Sequence, residues 1–157
     1  MTNQEAFDKV WDHFITKRNP PAYTASSRLA PVCLYRSAAG PCAVGVLIPD
    51  DVYQEEFEGF AIWKLWMGFM YDPPLSNLQA LRKALGNVDL WLLSALQRAH
   101  DSYAYTLAED KDTLSPEGAA NYARICVLYG ESPEWFTYFL GEMQRVAREF
   151  DLKVPSR

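Results

Sequence analysis

Most of the chain repeats its apolar positions with a helical period, and one short stretch near residue 40 does not. Phe7, Val10, Trp11 and Phe14 recur at i, i+3, i+4 and i+7 while Glu5, Asp8 and Asp12 share another face, which predicts an amphipathic first helix. Thr2-x-x-Glu5 is a capping box that opens it, and Asn19-Pro20-Pro21 stops it near Arg18. Residues 20–31, rich in proline and small polar side chains, read as an irregular loop. The runs 32–36 and 42–48 are apolar and partly β-branched, predicting two strands around the turn Ser37-Ala38-Ala39-Gly40-Pro41. With Arg36 opposite Cys42, Cys33 falls opposite Gly45 and the two cysteines take opposite faces of the hairpin, whereas a two-residue turn at Ser37-Ala38 would set them opposite each other.

Beyond the hairpin the pattern is helical again. Pro49-Asp50-Asp51 starts a short helix that Gly59 ends after Glu58, and residues 60–71 are apolar nearly all round a helix, which therefore needs cover. A second capping box, Ser76-x-x-Gln79, precedes a helix over 77–85 that Gly86 stops. A long helix is expected from Val88 to Ala108. Ser115-Pro116 and Ser132-Pro133 each set an N-cap before a first-turn proline, so helices start there and end at Gly130 and near Asp151. The fold class that results is mainly α with a small β-hairpin (α+β), a helical bundle forming a single domain over residues 1–157.

Composition agrees with that size. With 157 residues and 49% hydrophobic content, one apolar core can form without disulfides or metal. The 15 cations against 20 acids give a net charge of -5 and form no basic cluster, so broad nucleic-acid binding and attachment to an anionic membrane are not expected. The segment 60–71 carries Lys64 and is shorter than the roughly 20 residues a membrane span requires. No basic-then-apolar leader is visible at residues 1–5, and three cysteines without a CxxC suit a reducing cytoplasm, the expected location.

Chemical signatures are few. The sequence has no GxGxxG, GxxxxGK[ST], GxSxG or HExxH, and His13, Cys33, Cys42, His100 and Cys126 lack metal-ligand spacing; no cofactor and no metal are expected. Asp12-His13 and His100-Asp101 are adjacent pairs whose side chains diverge by about 100° on a helix, which argues against either as a base-and-orienter dyad. His100 continues the stripe Leu93, Leu96, Tyr103, Leu107 and so faces inward, as a core histidine or as a pocket-lining one.

Two surface features qualify as partner-binding candidates. Asp50, Asp51, Glu55, Glu56 and Glu58 place five acids and no base within residues 50–58, a solvated face or a docking surface for a basic partner. Next to it, Trp63 and Trp66 stand in the segment that needs cover, by the chain's own core, by a partner or by a second copy of the chain.

The residues also resemble a known group. Cys33-Leu-Tyr-Arg36, Gly40-Pro-Cys42-Ala-Val-Gly45-Val-Leu-Ile48-Pro-Asp50, Tyr53 and Glu58-Gly59, followed by Leu96-Gln97-Arg98-Ala99-His100-Asp101, are similar to the C-x-Y-R, C-A-V-G-x-L-I-P-D and L-Q-x-x-H-D elements of small bacteriophage- and prophage-encoded proteins. The likeness reaches most of the chain, but the turn 37–41 departs from a Gly-Pro-rich one and residues 102–132 look like an insertion. The group brings a phage setting and no established activity. Its polar members map here onto Tyr35, Arg36, Glu58, Gln97, His100 and Asp101.

Two classes of function follow. The resemblance, the acidic stretch and the tryptophans imply a non-enzymatic phage accessory protein that binds and inhibits a host protein, for instance a component of an anti-phage defence system. The alternative is a small enzyme or ligand-sequestering protein with a pocket between the hairpin and the long helix, where Arg36 holds an anion and His100 and Glu58 act as acid and base.

Overall fold

The computed structural model describes residues 1–19, 23–24, 32–37, 40–67, 78–108 and 133–156; for 23–24, 32–33, 102–108 and 133–134 the description is of the backbone. The architecture is mainly helical with a small antiparallel β element. Helix α1 (Asn3–Trp11) opens on the expected capping box, the Thr2 hydroxyl accepting from the Glu5 N–H and the Glu5 carboxylate from the Thr2 N–H. Phe7, Val10, Trp11 and Phe14 are all buried, as the stripe requires. The first helix does not run on unchanged to Arg18: it widens into a π turn over Asp12–Thr16, and Arg18 then takes a left-handed conformation at φ 59°.

The β region differs most from expectation. Residues 20–31 include strand β1 (Tyr23–Thr24), which pairs with β2 (Val32–Cys33). The hairpin itself is β3 (Arg36–Ser37) against β4 (Gly40–Pro41), with Arg36 opposite Pro41 instead of Cys42. Residues 42–48 are not a strand but a turn closing in a 3₁₀ segment over Gly45–Leu47. Cys42, Ala43, Val44, Leu47 and Ile48 are buried. A continuous apolar run states burial without stating conformation, which is why it read as a strand. Cys42 is a buried free thiol whose sulfur accepts the Gly45 N–H at 3.4 Å; the side chain of Cys33 and all of Cys126 lie outside the described residues.

The helix expected over 50–58 is also absent. A turn on the Pro49 carbonyl, extended Gln54 and a 3₁₀ segment at Glu55–Phe57 replace it, ending at Gly59 with φ 77°. Then follow α2 (Ile62–Met67), α3 (Leu78–Leu85) with Gly86 in a left-handed stop, α4 (Leu90–Ala108) and α5 (Pro133–Glu149). The capping box at Ser76, the last residues of the 60–71 segment, the polar turn 109–112, the helix expected to start at Ser115 and the Ser132 cap lie outside the described residues.

Helix α4 is the spine: α5, α2 and α1 all pack on it. α5 contributes Trp135, Phe139, Met143 and Val146, spaced to form one inward stripe. After α5 the chain folds back along α1, where the Gln4 side-chain amide brackets Lys153, donating to its carbonyl at 2.9 Å and accepting its N–H at 2.9 Å. No helix among the described residues is long and apolar enough to cross a membrane.

Candidate functional site

The polar residues singled out by sequence fall into two separate groups, and both are bonded into the fold. The first is a clasp centred on Glu58. Its carboxylate accepts the backbone N–H of Tyr35 at 2.8 Å and of Arg36 at 2.9 Å, and the hydroxyl of Tyr53 at 2.8 Å. Arg36 completes the arrangement from the other side, donating from Nη2 to the Ile48 carbonyl at 2.5 Å and pairing with Asp50 at 2.8 Å. The Tyr35 hydroxyl reaches across to the Phe60 carbonyl at 2.8 Å. The polar residues from Tyr35 to Glu58 thus tie a hairpin, a 3₁₀ turn and the entrance to α2 into one unit.

Local physics explains each choice. The Glu58 carboxylate satisfies the backbone N–H groups of Tyr35 and Arg36, donors that cost free energy when buried unpaired. Burial pushes the Tyr53 hydroxyl well above the usual tyrosine range, and its bond to Glu58 adds to this, so it stays a donor at all ordinary pH. Gly45 approaches the Tyr35 backbone so closely that a Cβ there would meet its carbonyl oxygen, with the carbonyl carbon at 2.9 Å. Replacing Tyr53 with phenylalanine removes one charge-assisted bond from a half-buried site; the expected loss, read by chemical denaturation, is about 1–2 kcal/mol.

The second group lies along α4. Gln97, buried, accepts the Ile62 N–H at 2.8 Å through Oε1 and so supports the start of α2. His100 is fully buried and lies 5.5 Å, ring to ring, from Phe14. The expectation that adjacent histidine and aspartate side chains must diverge fails here: Asp101 Oδ1 stands 2.9 Å from His100 Nδ1. The half-buried aspartate folds back over the helix to give the buried imidazole a polar partner, which is cheaper than leaving Nδ1 unpaired. That geometry orients an imidazole, but it does so inside an aromatic core of Phe14, Trp135 and Phe139.

The enzymatic reading needs Arg36, Glu58 and His100 around one cleft. Arg36 and Glu58 are joined through the clasp; His100 belongs to the aromatic core beside α1 and α5. Two open troughs, of about 430 and 320 Å³, run between α1 and the C-terminal segment, and none of the six polar candidates lines either. Among the described residues no three His, Cys, Asp or Glu side chains are placed to share a metal ion.

The partner-binding candidates are placed differently. Asp50, Asp51, Glu55 and Glu56 are exposed, and the side chains of Asp51, Glu55 and Glu56 make no hydrogen bond or ion pair among the described residues. Glu58 belongs to the clasp instead. On α2, Ile62 and Leu65 turn inward, Trp66 is half-buried, and Trp63 and Met67 remain 49% and 48% exposed. The helix that seemed to need cover all round is therefore covered on one side only. Lys64 Nζ sits 5.6 Å from the Trp63 ring, and Arg82 donates to the Trp66 carbonyl.

His13, weighed from sequence only as a metal ligand and as half of the Asp12-His13 pair, has a different setting. It lies in the π turn, its Nδ1 is 3.1 Å from the Asn19 side-chain nitrogen, and its Nε2 is buried with no partner among the described residues. The only available signal was the His-Asn pair six positions apart just before a proline, which is faint.

Comparison with protein families, with characterised proteins and with solved structures finds no match.

Proposed function

We propose that this chain is a non-enzymatic binding protein of phage type that docks on a basic surface of a host protein, such as a component of an anti-phage defence system, and inhibits it. The observation that supports this reading is the division of labour among the polar residues. Tyr35, Arg36, Glu58, Gln97, His100 and Asp101 are engaged inside the fold, whereas Asp51, Glu55 and Glu56 are held in water with no bonds to make. They precede Trp63 and Met67 on the next element, and a charged rim beside an apolar anchor is how partner surfaces are built. Asp50, tied to Arg36, fixes the near end of that rim.

Capture from a bacterial lysate by the immobilised protein, compared with a D51K/E55K/E56K variant and with W63E, tests it. A genuine partner is lost by about tenfold or more with either variant, and its capture weakens as salt rises from roughly 50 to 300 mM. Capture that ignores both substitutions and salt contradicts the assignment.

A further inference from the structure

The segment after α1 is built around a partly buried histidine with a single polar partner on its ring. We propose that the π turn Asp12–Thr16, together with Asn19, is an acid-sensitive latch closed by neutral His13. With the Asn19 amide donating to Nδ1, the neutral ring carries its proton on Nε2, and a second proton on Nδ1 would face the Asn19 NH₂ group. The Asn19 side chain takes one ring nitrogen at 3.1 Å, the Asn19 N–H binds the His13 carbonyl at 3.3 Å, and the other ring nitrogen is buried without an acceptor. Phe14 lies edge-on to the His13 ring at 4.6 Å and 5.5 Å from the His100 ring. A second N–H would have no acceptor, and a buried donor left unpaired costs about 1–3 kcal/mol.

The surrounding charges do not rescue it. Within the turn, Asp12 favours the charged ring but is held by Lys17 at 2.7 Å, and Lys17 opposes it. From α4 comes His100 with Asp101 behind it; from α5 come the uncharged rings of Trp135, Phe136 and Phe139; the Gly45–Leu47 segment against α1 carries no titratable group. Burial, then Lys17, therefore holds the His13 pKa below the ordinary 6.5. The unfolded or opened chain takes up the proton first, so the latch is fully closed above that value and loses hold as pH falls below it. Opening it frees Arg18, whose guanidinium lies 3.6 Å over the Phe136 ring, and so reshapes the wall of the open trough lined by Ile15, Thr16, Arg18 and Phe136.

Hydrogen exchange of the intact protein at pH about 7.5 and about 5, corrected for intrinsic rates, reads the latch directly. Amides 14–19 are expected to lose protection roughly tenfold or more while α5 keeps its own, and His13→Gln, which retains an acceptor and cannot charge, abolishes the difference. The His13 ring signal in the unmodified protein must titrate over the same range as the opening. Protection that falls equally throughout the molecule, that is unchanged by pH, or that falls equally in His13→Gln overturns the proposal, as does a His13 that titrates while 14–19 stay protected.

Discussion

Replacing Gly45 with alanine is expected to cost about 3 kcal/mol or more, and to leave much of the protein insoluble at ordinary expression temperatures. The reason is a backbone contact, not conformational freedom: the new methyl would run into the Tyr35 carbonyl, with the Tyr35 Cα only 3.1 Å away. Neither side can yield cheaply. Tyr35's carbonyl accepts the Cys42 N–H at 3.3 Å and its own N–H is held by Glu58, so moving it apart strains the hairpin and the clasp together. Gly141, in the exposed interior of α5, is the matched control. Nothing lies within 4 Å of its Cβ position, and Gly141→Ala should stabilise by about 0.5–1 kcal/mol through helix propensity. Chemical denaturation of the two variants reads both effects; equal mild effects would mean the close approach is absent.

Glu58→Ala should be the most damaging single polar substitution in the described structure. It strips acceptors from two backbone N–H groups and a tyrosine hydroxyl at once, and each charge-assisted bond of this kind contributes about 1.5–3 kcal/mol. Allowing for partial exposure, a loss of about 4 kcal/mol is expected, which for a chain of this size lowers Tm by roughly 10 °C. Glu58→Gln should fall between wild type and alanine. Its amide keeps one accepting oxygen but turns an NH₂ toward a backbone donor. A Glu58→Ala protein as stable as wild type would show that the carboxylate is a surface group and that the clasp does not hold the fold.

The contrast between these residues and the acidic rim explains what the sequence could and could not disclose. The helices were legible because period 3.6, caps and stop signals agree at each: Thr2 and Glu5 at α1, Gly86 after α3, Pro133 at the start of α5. Residues 42–48 were not, because a fully apolar run is equally compatible with a strand and with a buried turn, and only the close fit of Gly45 on Tyr35 decides. The stretch 50–58 failed for a related reason. Its N-cap and dipole signals favour a helix, but Tyr53 and Glu58 must meet each other and the hairpin, and that long-range demand overrides local propensity. The same bond removes Glu58 from the acidic face to which composition had assigned it. His100 was correctly expected to face inward, while its pairing with Asp101 depends on one aspartate rotamer that spacing does not report.

The division proposed is that Tyr35, Arg36 and Glu58 hold the fold while the unbonded acids Asp51, Glu55 and Glu56 bind the partner. It is tested most directly by one paired measurement on D51K/E55K/E56K: thermal stability and capture of the same host protein from lysate. The account predicts a melting temperature within a few degrees of wild type, since exposed unpaired charges contribute little to stability, together with loss of capture. A variant that melts far below wild type, or that still captures its partner undiminished, would contradict it.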